Sequence, residues 1–148
     1  MDVHASVDAT VSADQLFSKV ADLSTYTEWL DIVHGVKVVP GLDGSRVWQV
    51  ELRARLGPFA RSKRLRMMRT TCEVPRVVIF ERQEGDGKQH SAWVLRATVD
   101  PSSTGSTLHM HLHYGGSLFT GGVMERLLAD QIRQGSDRLL AMFATDVS

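Results

Sequence analysis

Cysteine is almost absent from this sequence: Cys72 stands alone among 148 residues. One thiol can close no internal disulfide and build no Cys-rich metal centre. No sign of charge dominates, because 17 Lys and Arg meet 17 Asp and Glu. That balance argues against a globally basic nucleic-acid binder and against an acidic tail. No apolar stretch is long enough to span a bilayer. No apolar run follows basic residues near the N-terminus, as an export signal requires, so the cytoplasm is the expected compartment. Proline is scarce, at 4 residues, and none lies beyond Pro101. What remains is an ordinary globular mix, 43% apolar and 23% charged, which argues against disorder. A chain of this length predicts one domain, residues 1–148. It can bury a substantial core and still enclose a ligand cavity.

The hydrophobic period changes along the chain. Asp2–Ala9 alternates, with Val3, Ala5 and Val7 on one side and His4, Ser6 and Asp8 on the other, the mark of a half-buried strand. Ser12-Ala13-Asp14-Gln15 is a capping-box pattern, and Leu16, Phe17 and Val20 follow at helical spacing. This predicts a short helix ending near Asp22 and a second helical turn around Ser24–Leu30. After that the pattern is strand. Val33–Val39 is β-branched, and Leu42-Asp43-Gly44-Ser45 is a hairpin turn signal. Val47–Leu56 alternates, with Trp48, Val50, Leu52 and Ala54 on one face. Gly57-Pro58 breaks it, and Arg61–Cys72 resumes with Leu65, Met67 and Arg69 in phase. Val77–Arg82 and Ser91–Asp100 read as further strands, the latter aligning Trp93, Leu95, Ala97 and Val99. Pro101–Gly105 reads as a loop of turn formers, and Thr107–Tyr114 alternates Leu108, Met110 and Leu112 with three histidines. From about Gly121 to Ala144 the period becomes helical. Met124, Leu128, Ile132, Gly135, Leu139 and Phe143 form one stripe over roughly six turns. There is no internal repeat and no low-complexity run.

The order is strand, two short helices, about six antiparallel strands and one long helix: an α+β domain. An antiparallel sheet with one apolar face must cover it. The economical solution is a curved sheet wrapped around the long C-terminal helix.

That order, with Val11-Ser12-Ala13, Val20-Ala21-Asp22-Leu23-x-x-Tyr26-x-x-Trp29 and Tyr114-Gly115-Gly116, resembles the START-related SRPBCC superfamily and its helix-grip fold. The polyketide cyclase/dehydrase-like branch is the most similar. The resemblance spans nearly the whole chain and implies a cavity between the long helix and the concave sheet. Its wall would come from Trp48, Val50, Leu52, Leu65, Met67, Trp93, Leu95, Met110 and Leu112. Tyr26 and Trp29 would stand near the mouth, Leu128, Ile132 and Gly135 along the helix, and Leu118 and Phe119 as a gate. Gly135 is expensive in mid-helix, by about 1 kcal/mol against alanine. It signals either space for a ligand or close backbone packing.

Candidate chemistry centres on Arg69. Its strand phase turns it inward, and a buried guanidinium needs partners. It can hold a carboxylate, an enolate or a carbonyl, or pair internally. Resemblance to polyketide aromatase/cyclases, anchored on Arg76-Val77-Val78, implies a cavity arginine at Arg69 and a polar aromatic at Tyr26. No clear acid/base set accompanies them, although a cyclase or hydratase must move a proton. His109, His111 and His113 lie opposite the apolar set. The outer two are about 13 Å apart along a strand, so a solvated face is the expectation and no metal site is assigned. Arg53, Arg55, Arg61, Lys63, Arg64, Arg66 and Arg69 form a basic run without intervening acid. It reads either as a solvated face or as a contact for anionic headgroups or RNA, though it lacks aromatics for base stacking. Gly115–Gly122 precedes a helix but lacks the Lys-Ser/Thr of a phosphate loop.

The expected function is therefore binding, as carriage or sensing, of a hydrophobic small molecule such as a lipid, quinone, isoprenoid or polyketide. The alternatives are an aromatase/cyclase or dehydratase using the same cavity, and an interaction module built on the basic hairpin 53–69. No cofactor and no specific nucleic-acid partner is expected. Peripheral membrane contact stays open, as does the choice between monomer and homodimer.

Overall fold

A computed structural model describes residues 2–41, 44–56, 58–115 and 123–145. The strands are β1 (Asp2–Ala9), β2 (Val33–Val39), β3 (Val47–Leu56), β4 (Phe59–Glu73), β5 (Val77–Arg82), β6 (Trp93–Ser102) and β7 (Gly105–Tyr114). The helices are α1 (Ala13–Val20) and α2 (Val123–Thr145), with a 3-10 turn over Leu23–Glu28 between α1 and β2. The strands form one antiparallel sheet in the order β1-β7-β6-β5-β4-β3-β2, so all neighbours except β1 and β7 are consecutive hairpins. This is the α+β helix-grip architecture.

Local chemistry explains the element boundaries. The Ser12 hydroxyl accepts from the Gln15 N–H, and the Gln15 side chain accepts from the Ser12 N–H, at 3.2 Å each. Two of the helix's orphan donors are thereby satisfied. The Asp22 carboxylate accepts from the Ser24 N–H at 2.9 Å and starts the 3-10 turn. The turn at Leu42-Asp43-Gly44-Ser45 lies partly outside the described residues. The strands on either side of Gly57-Pro58 pair as the hairpin that the sequence suggests, with Leu56 opposite Phe59; Gly57 itself lies outside the described residues.

The expected loop at Pro101–Gly105 is instead strand on both sides of a tight turn, with Pro101 opposite Ser106 and Ser102 opposite Gly105. Opposite β6, β5 reaches only to Val77, facing Thr98. The last bond on that side runs from the Val99 N–H to the Arg76 carbonyl at 2.8 Å; beyond it β6 pairs with β7 alone, an edge situation that tolerates proline. Gly105, at φ +153°, closes the turn where a Cβ would stand 2.2 Å from the Ala9 carbonyl oxygen.

Side-chain alternation sorts the sheet faces as the sequence predicts. Val3, Val7, Trp48, Val50, Leu65, Met67, Val78, Phe80, Trp93, Ala97, Leu108 and Met110 are buried on the concave side. The outer face carries Arg53, Arg55, Arg64, His109 and His113, all of them exposed. Helix α2 lies over the concave face with Ile132, Leu139 and Phe143 buried. A second row on α2, at Gln131, Gly135 and Arg138, docks onto the segment joining the 3-10 turn to β2. The Gln131 side-chain carbonyl accepts from the Ile32 N–H at 3.0 Å. A Cβ at Gly135 would meet the Trp29 carbonyl oxygen at 2.3 Å. Arg138 pairs with Asp31. No helix among the described residues is long and apolar enough to cross a membrane.

Candidate functional site

The trough between α2 and the sheet has a solid end and a hollow end. At the solid end Trp48, Phe80, Tyr26 and Trp29 pack edge to face or tilted, with centroids 4.9–6.4 Å apart, separations typical of favourable aromatic pairs. The Trp48 indole N–H donates to the Ser24 hydroxyl at 3.2 Å. The Tyr26 hydroxyl donates to the Val20 carbonyl at 2.7 Å. Burial first, and the nearby Asp22 charge second, push the Tyr26 hydroxyl pKa upward, so it stays protonated with its proton engaged.

The hollow end is a cavity of about 90 Å³ lined by Leu23, Tyr26, Leu30, Ile32, Val33 and Val36 on one side, with Gln131 and Ile132 of α2 above. Its floor is Val50, Leu52, Leu65, Met67, Trp93, Leu95, Met110 and Leu112. Tyr26 is the one titratable residue among the described residues of that lining. Tyr26, Val50, Leu65, Met67, Trp93, Leu95, Met110, Leu112 and Ile132 thus stand together around the hollow.

Other candidates stand elsewhere. Trp29 and Trp48 are buried at the solid end, because alternation reports a side chain's face but not what lies above it. Gly135 leaves no gap, since it is pressed against Trp29 and Leu30. Leu118 and Phe119 lie outside the described residues, as does the Leu128 side chain. The sequence reading missed Leu23, Leu30, Ile32, Val33 and Val36, which surround the 3-10 turn and the register shift between Val33 and Gly35. No regular period runs through that stretch. It also missed Gln131, which a helical hydrophobic stripe counts as polar.

Arg69 faces inward but does not line the cavity. Its guanidinium donates to the Ala21 carbonyl at 2.9 Å and lies 5.9 Å from the centre of the Trp48 ring. A guanidinium that closes the carbonyl end of α1 and rests on an indole is a structural tie. Replacing Arg69 with alanine is therefore expected to lower stability by about 1.5–3 kcal/mol, the range for a hydrogen bond from a charged donor. Chemical denaturation measures this directly, and an unchanged midpoint would show that the tie contributes nothing.

The histidines of β7 lie on the outer face. The Asp2 carboxylate is 2.7 Å from His111 Nε2 and 3.1 Å from His113 Nδ1. These contacts hold its pKa below the usual value. His111 also stacks on His4 at 4.2 Å. No group of three or more His, Cys, Asp or Glu side chains among the described residues is placed to hold a metal ion. In the basic hairpin, Arg53 lies 3.9 Å from Glu51 and donates to Ser62, and Arg66 donates to the Pro40 carbonyl. Cys72 is exposed.

Comparison with known proteins agrees with this architecture. The protein TTHA0849 of Thermus thermophilus superposes with a TM-score of 0.71 at 15% identity, covering 96% of this chain and 99% of that one. A START superfamily protein of Mycobacterium smegmatis gives 0.67 at 17% identity, with 95% of each chain covered. The AHSA1 protein SPO3351 of Silicibacter pomeroyi gives 0.65 at 16%, with 99% of each covered. Identities this low show the shared fold alone. No curated protein matches the chain. The sequence pattern of the family described as "Polyketide cyclase / dehydrase and lipid transport" matches residues 1–144. With the helix-grip fold beneath it, that match means the chain belongs to this polyketide cyclase/dehydrase-like family of SRPBCC proteins.

Proposed function

We propose that this protein binds a hydrophobic small molecule, for carriage or sensing, in the hollow between α2 and the concave sheet. The observation that carries the reading is the lining itself: among the described residues the side chains are apolar, apart from Gln131, the engaged Tyr26 hydroxyl and the buried, unpartnered indole N–H of Trp93. Such a wall rewards transfer of apolar surface, by about 25 cal/mol per Å². It offers no side chain poised to move a proton, and the inward arginine that a cyclase would use is tied to Ala21. The family and the fold are consistent with the same reading.

The size of the hollow sets a condition. At about 90 Å³ it falls short of the ~150 Å³ apolar cavity that accepts benzene. A ligand larger than that must displace wall side chains. Met67 and Met110, unbranched and adaptable, are suited to yield.

A series of n-alkanols tests the proposal. Each added methylene that enters the hollow is expected to contribute about 0.8 kcal/mol, close to fourfold in affinity, until the space is full. Leu65→Trp, which would fill the hollow from its floor, is expected to weaken 1-octanol binding at least tenfold while the protein stays folded. Saturation shifts of the methyl NMR signals report both. A wild-type protein that binds no alkanol saturably would remove the reading. Native mass spectrometry of freshly purified protein would show what it carries.

A further inference from the structure

The apolar floor of the trough ends in charge. Lys63 stands on the concave face of β4, opposite Leu52 and two positions from Leu65, and both leucines line the hollow. The next concave position toward the hairpin tip is Arg61, opposite Ala54 and exposed. The outer-face arginines point the other way, so these two cations are the ones the β3–β4 hairpin presents beside the cavity.

Lys63 is half-buried, and its surroundings do not favour its charge. Burial first, and the neighbouring Arg82 second, lower the ammonium pKa; Glu84 acts in the opposite sense. Glu84 is engaged through Oε1, which accepts from Arg82 Nε at 2.8 Å and from the Arg66 N–H at 3.1 Å, and it acts on Lys63 through its charge without a hydrogen bond. Arg82 itself is spent on Glu84 and on Ser91. Lys63 takes part in no side-chain hydrogen bond or ion pair among the described residues. A partly desolvated cation beside a like charge, with no partner of its own, gains from any anion placed against it.

We propose that Lys63 is the head-group site of the cavity, and that the ligand is an amphiphile with an apolar body and a single carboxylate. This rests on the apolar-ligand reading above and names the chemistry at its polar end. The body lies among Val50, Leu52 and Leu65. The carboxylate meets the Lys63 ammonium at the rim, because no cation is among the described residues that line the hollow itself. Lys63 is the half-buried cation of the two and gains from one negative charge held against it, whereas Arg61 is exposed and already solvated.

Three probes with the same tail separate the possibilities: octanoate, 1-octanol and octylammonium, titrated calorimetrically at neutral pH and low salt. Wild-type protein is expected to bind octanoate at least tenfold more tightly than 1-octanol, with octylammonium weakest. Lys63→Met is expected to bring octanoate down to the 1-octanol level while leaving 1-octanol within twofold of wild type. Lys63→Arg, which keeps the charge, is expected to retain most of the preference. Equal binding of octanoate and 1-octanol by the wild type, or an octanoate preference that survives Lys63→Met, overturns the Lys63 assignment and leaves the cavity reading standing. Failure of all three probes to bind overturns both.

Discussion

Shortening Phe80 to alanine is expected to remove about 3–5 kcal/mol of stability, the usual result of truncating a fully buried aromatic residue. Phe80 is 0% exposed. It meets the Trp48 ring at 5.5 Å and 76° and the Tyr26 ring at 6.4 Å and 79°. It therefore joins the sheet to the 3-10 turn through edge-to-face contacts as well as through area. The hole left by alanine would open between rigid neighbours. Trp48 is held at Ser24 and Tyr26 at Val20, so collapse would be poor and the cost would lie high in its range. In a chain of this length the melting temperature should fall by roughly 6–20 °C, at about 2–4 °C per kcal/mol. A domain with about 5–15 kcal/mol in total would lose a large share of its margin. Thermal denaturation of Phe80→Ala, with Phe80→Leu as the milder variant, checks this. A loss under about 1 kcal/mol would mean that the aromatic end of the trough is looser than these ring contacts imply.

Gly135→Ala sets two effects of opposite sign against each other. Helix propensity alone favours alanine by about 1 kcal/mol. The neighbourhood opposes it: the new Cβ would stand 2.3 Å from the Trp29 carbonyl oxygen, 2.9 Å from Leu30 Cδ2 and 3.2 Å from Trp29 Cε3. The nearest of these is backbone and cannot rotate away. For the contact to be relieved, α2 must lift from the segment joining the 3-10 turn to β2. That movement strains the Gln131–Ile32 hydrogen bond and the Arg138–Asp31 pair on the same helix face. Overpacking of this kind costs about 1–3 kcal/mol, and a backbone obstacle places it near the top. The net expectation is a loss of roughly 2 kcal/mol after the propensity gain. Urea denaturation decides the sign, and a stabilised Gly135→Ala protein would show that the helix does not sit this close.

The second effect bears on function, because the close approach at Gly135 holds α2 over the hollow. Ile132, which faces the cavity, lies one turn before Gly135 on α2. A helix lifted at Gly135 would enlarge the hollow next to Leu30 and Ile32. The alkanol series is thus expected to extend to longer chains in Gly135→Ala before affinity levels off.

Much of this molecule was readable from local pattern. Period-two alternation assigned the inward faces of β1, β3, β4, β6 and β7, because the pleat repeats every second residue whatever lies above it. The capping box at Ser12 and Gln15 is made as its spacing required, since its partners belong to one short chain segment. The same alternation could not tell Met67, which faces the hollow, from Trp48, directly opposite it across the hairpin and packed solid. Nor could it say that Pro101 continues a strand, because that depends on where β5 ends beside it.

Repeats within single segments were enough to set the order of elements, the buried faces of those five strands and the part of the α2 stripe at Ile132, Leu139 and Phe143. Contacts across the fold settled the rest. Which stretch of the trough is hollow depends on where the 3-10 turn and α2 cross the sheet, and the bond that fixes this crossing joins Ile32 to Gln131, far apart along the chain. The same packing decides which inward cation is satisfied. Arg69 finds the end of α1 above it and is engaged as a structural tie. Lys63, on the same strand and face, finds no such carbonyl and is left beside the hollow.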